Sequence, residues 1–303
     1  MADNSLPSTT DTHRDHPAAT ATYARAMRLT PMPDGHRLAT WTTGSPGAHP
    51  PVVLVHGGPG LWDYLAPLAA LIDDLTLVHR YDQRGCGRSD IGGPYSMSQY
   101  VADLDALRAA AGYDRWTVIG HSFGATLALA YASGHPSHTA GLGYVSGVGI
   151  GDWQTPFMRE RARRGRPFAA RLGDLEERTV RTAAEETEWR QLHWATDYAD
   201  ATQGIELARP MAEVDLAINT RANKALTFTD EDCVAWAASV TCPVTFIHGT
   251  EDPRPLDNAR QLADATRGAQ LRPVRRAGHL PWIEQPDEVA APLRTLVTAT
   301  HDG

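Results

Sequence analysis

Apolar residues in this chain gather into short continuous runs. Residues 51–55 (PVVLV), 75–81 (LTLVHRY), 116–120 (WTVIG) and 243–248 (PVTFIH) are nearly unbroken; 142–145 (LGYV) is weaker and 270–275 is a further candidate. Short runs bounded by glycine and proline fit strands buried on both faces. Ahead of them, residues 23–43 alternate apolar and polar around Pro33-Asp34-Gly35, which predicts a β-hairpin. Helical spacing fills the intervals. Residues 98–111 carry Tyr100, Val101, Leu104 and Leu107 on one face before Gly112; 123–133 are apolar almost all round and stop at Gly134 and Pro136; 256–266 and 287–299 complete the set. Strands alternating with helices predict an α/β chain: a mostly parallel sheet with helices on both faces.

One segment breaks the alternation. Residues 152–240 show helical patterns without a convincing strand, runs of arginine and glutamate, and Trp153, Trp189, Trp194 and Trp236. An all-helical insertion between parallel strands is expected to lie as a cap over the sheet's C-terminal edge, where open α/β sheets bind ligands. The expected organisation is therefore a polar, disordered tail over 1–20, a core built from 21–151 and 241–303, and a helical cap over 152–240. His13 and His16 fall in the tail and are read as uninvolved in chemistry.

The candidate chemistry sits at the ends of the predicted strands. Gly120-His121-Ser122-Phe123-Gly124 follows a strand and opens a helix. In that context a G-x-S-x-G sequence predicts a nucleophile elbow, with Ser122 near a helix N-terminus that favours developing negative charge. The bare pattern is common by chance; the strand-helix setting gives it weight. A serine needs a base, and His279 in Gly278-His279-Leu280-Pro281 has the expected place late in the chain. The acid belongs between them, after a strand: Asp252 in Gly249-Thr250-Glu251-Asp252-Pro253 is the choice, with Glu251 as the alternative. Two oxyanion donors are expected from the backbone N–H groups of Phe123 and Gly58, the latter in His56-Gly57-Gly58-Pro59-Gly60, where His56 reads as a brace. Trp153, Trp189 and Trp194 are candidates to line an apolar substrate pocket, although core packing is the commoner fate of tryptophan. His79, His135, His138, His193 and His248 read as packing or surface residues.

HGGPG at 56–60, DQRGCGRS at 82–89, GHSFG at 120–124, GTED at 249–252 and GHLPWIEQP at 278–286 together resemble the proline iminopeptidase family of α/β hydrolases. The resemblance spans about residues 50–150 and 240–290 and implies an α/β-hydrolase fold. It implies a triad of Ser122, Asp252 and His279, an oxyanion site shaped by Gly58 and Phe123, structural roles for Asp82 and Arg84, and a packing role for Cys86. The chain departs from the family pattern twice. His121 and Phe123 replace the second glycine and the tryptophan of the usual GGSWG elbow. In the cap, Trp194 is followed by Ala195, where the family has a glutamate that helps to capture the substrate's amine; Glu188, Asp197 and Asp200 are the nearby carboxylates, and Glu188 is the substrate-binding candidate among them.

Bulk properties narrow the field. The formal charge of -8 over 303 residues speaks against nucleic-acid binding, and no stretch reaches the length of a membrane span. Cys86, Cys233 and Cys242 are too few and too scattered for a disulfide framework or a zinc site, which points to a reduced, cytoplasmic setting. The expected activity is cleavage of an amide or ester in a small molecule or short peptide through an acyl-enzyme, with no cofactor or metal. A hydrolase or cyclase of a hydrophobic ester, lactone or amide in a biosynthetic pathway, and a small-molecule receptor on the same fold, remain open alternatives.

Overall fold

The strands assemble into one eight-stranded sheet in the order β1-β2-β4-β3-β5-β6-β7-β8. A computed structural model of the chain describes residues 26–299; the expected tail over 1–20, with His13 and His16, lies outside the described residues. Strands β1 (Arg28–Pro31) and β2 (Arg37–Thr43) form the antiparallel hairpin, which turns at Gly35 (φ 89°). Strand β2 pairs antiparallel with β4 (Val78–Tyr81). From there β3 (Val52–Val55), β5 (Trp116–His121), β6 (Thr139–Val145), β7 (Val244–Gly249) and β8 (Gln270–Val274) continue the sheet in parallel.

The apolar runs work as two-faced strands. Val53, Val55, Val118 and Phe246 enter one hydrophobic cluster; their neighbours Val52, Leu54, Ile119 and Ile247 enter the other. The helices in chain order are α1 (Ala66–Ala69), α2 (Met97–Ala110), α3 (Phe123–Gly134), then α4 (Gln154–Gly165), α5 (Ala169–Glu176), α6 (Ala183–Ala195), α7 (Ala201–Ala212), α8 (Thr220–Ala225) and α9 (Asp230–Ser239), and finally α10 (Leu256–Ala265), α11 (Pro281–Glu284) and α12 (Pro286–Ala299). Leu104 of α2, Leu127 of α3 and Leu262 of α10 close the first cluster; Leu68 of α1 and Leu293 of α12 close the second. Burying one such side chain contributes roughly 1.5–3 kcal/mol.

Two elements differ from the pattern's expectation. Strand β6 begins at Thr139 rather than 142, because Gly141 and Gly143 dilute its apolar signal. At Gly143 a Cβ would lie 2.9 Å from the Ile119 side chain, so close packing on β5 excludes a larger residue. Strand β4 starts at Val78 rather than 75, since Leu75 still donates to Ile72 in the preceding turn.

Between β6 and β7 the described chain is helical, from α4 to α9. This insertion is fastened to loops at the C-terminal ends of the parallel strands. Asn219 donates through its backbone N–H to Gly60 O (2.8 Å) and through Nδ2 to Gly85 O (2.8 Å). Buried Arg164 donates to Glu251 O at 2.6 Å, and His279 N–H donates to Asp197 O at 2.7 Å. No helix among the described residues is long and apolar enough to cross a membrane.

Candidate active site

The turn from β5 into α3 puts Ser122 at φ 56°, ψ −124°, a backbone conformation that side chains rarely adopt. The residues two positions before and after it have no room for a side chain. A Cβ on Gly120 would sit 2.0 Å from Gly124 O, and one on Gly124 would sit 2.1 Å from Val55 O. The sharp turn therefore depends on both glycines of G-x-S-x-G. Ser122 makes no side-chain cap for α3, and it lines a chamber with His279, Gly58 and Tyr64.

Asp252 and His279 come together from the loops after β7 and β8. His279 Nδ1 donates to Asp252 Oδ2 at 2.7 Å, and both residues are buried. Burial alone would raise the Asp252 carboxyl, but His279, His248 and Arg254 outweigh it and hold the group far below the usual carboxylate range. Its second oxygen accepts from Arg254 N–H at 2.9 Å. Glu251 is exposed, and among the described residues its carboxylate meets only Thr250 Oγ1, at 3.3 Å. With Nδ1 engaged, Nε2 is the ring nitrogen that remains for the serine.

The His279 loop is held from both sides. Glu284 accepts from Gly278 N–H (2.6 Å) and Ala199 N–H (2.9 Å), and a Cβ on Gly278 would lie 2.2 Å from Asp197 O. These contacts account for the glycine and glutamate of GHLPWIEQP.

His121, one of the two residues that depart from the GGSWG elbow, organises the site. Its Nε2 lies 2.9 Å from His279 O, an obligate acceptor, so Nε2 carries the proton. Its Nδ1 then accepts from the Tyr64 hydroxyl at 2.6 Å, and the same hydroxyl oxygen, Tyr64 Oη, accepts from Gly57 N–H at 2.9 Å. Complete burial keeps this imidazole neutral by lowering its pKa well below the ordinary value, and Trp282 packs edge-on against it at 4.6 Å. One chain of hydrogen bonds thus ties the glycine loop, the elbow and the His279 loop together.

Because Gly57 N–H is spent on Tyr64, the next amide is the one available to a ligand. Among the described residues the N–H groups of Gly58 and Phe123 meet no acceptor, and both residues border the space in front of Ser122. Gly58 has φ 133°, and a Cβ there would lie 2.8 Å from Gly60 N. His56 braces this loop: Nδ1 donates to Gly57 O (2.8 Å) and Nε2 accepts from Gln83 N–H (3.0 Å). In the adjoining DQRGCGRS loop Asp82 accepts from the backbone of Asp63 and Arg88, and Arg84 makes a two-pronged pair with buried Asp103. Cys86 is buried, and that burial pushes its thiol up to about 12.

Ser122 opens onto two chambers. The first, about 290 Å³, carries Leu61, Phe157, Arg161, Trp194, Asp197 and Arg254 on its walls. The second carries Phe123, Trp153, Leu226 and Phe228. Of the expected substrate-binding residues, Trp194 and Trp153 reach these spaces; Trp189 and Glu188 line neither. The Arg181 guanidinium lies 4.5 Å from the centre of the Trp189 ring, which packs tilted by 32° against His193 at 4.6 Å. Glu188 turns outward to a two-pronged pair with Arg171 at 2.8 and 2.6 Å. Asp200 caps α7, accepting from Thr202 N–H and Gln203 N–H. Asp197 alone of the three carboxylates faces a chamber, and Arg254 Nη1 holds it at 2.5 Å. The residues that sequence reasoning passed over are Tyr64, Arg161, Arg254 and Glu284.

The comparisons with known proteins agree with this architecture. The model of the alpha/beta hydrolase family matches residues 52–291. A proline iminopeptidase from Heyndrickxia coagulans is 26% identical over 268 residues, covering 81% of this chain and 89% of that protein. A relative from Mycoplasma pneumoniae is 42% identical over 106 residues, so that the chain spans about a third of that relative's length, 34% of each. The crystal structure of a proline iminopeptidase from Mycobacterium smegmatis superposes with a TM-score of 0.66 at 23% identity, covering 91% of this chain and 99% of that one. With a family match over most of its length and this eight-stranded sheet beneath it, the chain belongs to the alpha/beta hydrolase family.

Proposed function

We propose that this chain is a serine hydrolase that cleaves a carboxylic ester or amide of a small molecule or short peptide through an acyl-enzyme. The observation that carries the reading is the Asp252–His279 hydrogen bond of 2.7 Å beside a strained Ser122 in a shared chamber. Ser122 Oγ attacks the carbonyl carbon while His279 Nε2 takes its proton. Asp252 holds the tautomer with the proton on Nδ1 and stabilises the imidazolium. The oxyanion develops before the N–H groups of Gly58 and Phe123, at the N-terminus of α3. His279 then protonates the leaving group, water attacks the acyl-serine by the reverse route, and no metal or cofactor is required by the chemistry.

Capture of a substrate ammonium, as in removal of an N-terminal residue, lacks support: Glu188, Asp197 and Asp200 are each engaged elsewhere, and Asp230, which borders the second chamber, accepts from Gly151 N–H at 2.8 Å. Turnover of a panel of p-nitrophenyl esters by wild type and Ser122→Ala tests the reading. A loss of roughly 10³-fold or more in the variant is expected; equal rates in a folded variant overturn it.

A further inference from the structure

The partly buried guanidiniums of the insertion are matched to carboxylates. Arg164 meets Glu160 at 2.7 Å, Arg171 meets Glu188 at 2.6 Å, and Arg181 and Arg190 share Glu186 at 2.7 and 2.9 Å. Arg161 of α4 breaks this rule. It lines the first chamber, and among the described residues no carboxylate is paired with it. Its Nη2 donates to His193 Nε2, which makes His193 a neutral acceptor with its proton on Nδ1, and its guanidinium lies 6.0 Å from the Phe157 ring centre. Burial lowers the pKa of Arg161, and burial with the neighbouring Arg161 charge pushes His193 down to about 4.

The other charges of this wall are already committed. Arg254 stands 2.5 Å from Asp197 and 3.6 Å from Asp252, and Asp252 serves His279. Arg161 and Arg254 therefore face the chamber with one carboxylate, Asp197, between them, and that carboxylate is bonded to Arg254. A partly buried cation with no carboxylate in ion-pair contact is costly, and the guanidinium fork matches the two oxygens of a carboxylate.

The geometry points to a carboxylate on the substrate as the partner of Arg161: the chamber takes an ester or amide that bears a free carboxyl group, with its apolar part over Phe157, Trp194 and Leu61 and its reacting carbonyl at Ser122. This deepens the serine-hydrolase reading and rests on it for the placement of the carbonyl. It also reverses the sign of the charge that an amine-capturing pocket would select.

A charge series of equal reach separates the two ideas. The p-nitrophenyl esters of adipic acid (one free carboxylate), caproic acid (neutral) and ε-aminocaproic acid (ammonium) are assayed with wild type, Arg161→Gln and Arg161→Lys, with Ser122→Ala as the blank. Circular dichroism and a thermal melt verify the fold of each variant. Expected for wild type is kcat/KM in the order monoadipate, caproate, ε-aminocaproate. The monoadipate-to-caproate ratio should fall about tenfold or more in Arg161→Gln and recover in part in Arg161→Lys. A second readout does not need turnover: calorimetry with adipate on Ser122→Ala should show binding that Ser122→Ala/Arg161→Gln loses. A flat or inverted charge preference, or adipate binding that ignores Arg161, overturns the inference while leaving the hydrolase intact. Ser122-independent rates with Arg161-dependent adipate binding would overturn the hydrolase and leave the anion site standing.

Discussion

The two walls of the chamber are built on different physical rules. The sheet-edge wall is fixed by backbone: Gly120, Gly124 and Gly278 stand where a Cβ would come within 2.0–2.2 Å of a carbonyl oxygen, and buried hydrogen bonds run from Gly57 through Tyr64 and His121 to His279. The insertion wall is made of side chains on helices, where most charges are paired near the surface and each pair contributes little. The first kind of wall fixes where a reaction happens. The second decides what is admitted, and it can be rebuilt residue by residue without moving the serine. A core that resembles proline iminopeptidases beneath an insertion whose carboxylate on the first chamber, Asp197, is held by Arg254 is the expected result.

The contrast can be tested from its strongest side. Asp252→Asn leaves the loop in place but invites the wrong tautomer of His279; kcat should drop roughly 10³–10⁴-fold, and Glu251→Gln should change it little. The reverse ranking in steady-state kinetics would move the acid to Glu251. Tyr64→Phe removes the hydroxyl between Gly57 N–H and His121 Nδ1 and leaves buried polar atoms without partners. At about 1–3 kcal/mol, kcat should fall roughly 10–100-fold with a smaller change in KM. A Tyr64→Phe enzyme with wild-type kcat would show that the network does not position the site.

The same network predicts acid sensitivity. Burial lowers the pKa of His56, His121 and His248 in the folded chain. The unfolded chain therefore takes up protons below about pH 6.5 that the folded chain refuses. Their contribution is present above that pH and is lost as pH falls through the window below it. Asp252, held low, gives up its own contribution only in stronger acid. Thermal melts should be nearly flat above about pH 7 and drop by several degrees between about pH 6.5 and pH 5. A melt unchanged across that window would contradict neutral, buried imidazoles. On the insertion wall, Glu188→Gln cuts a half-exposed pair with Arg171 and should leave kcat/KM within a factor of about two and stability within roughly 0.5 kcal/mol. A large loss of activity would return Glu188 to the substrate site.

The sheet-edge wall was legible in the sequence for the reason that makes it rigid. Buried strands must be apolar runs, and backbone approaches of that closeness admit only glycine, so Val52–Val55 and the GHSFG turn announce themselves. Strand β6 spoke faintly because its glycines carry packing rather than hydrophobicity. The insertion was not legible at the level of single residues. Trp189 and Trp194 lie on the same helix and look alike in sequence, but one packs beneath Arg181 and the other meets Trp62 at 6.2 Å and borders the chamber. Arg161 stands in a run of charges that reads as a solvated face, and only three-dimensional pairing separates it from Arg163 and Arg164, which take Glu160.

Whether Ser122 is the nucleophile can be read from intact-protein and peptide mass spectrometry after treatment with a fluorophosphonate. Expected are a single adduct on Ser122, loss of hydrolysis in step with labelling, no adduct in Ser122→Ala and much slower labelling in His279→Ala. An enzyme that retains full hydrolysis with Ser122 blocked, or a stoichiometric adduct on another residue, would contradict it.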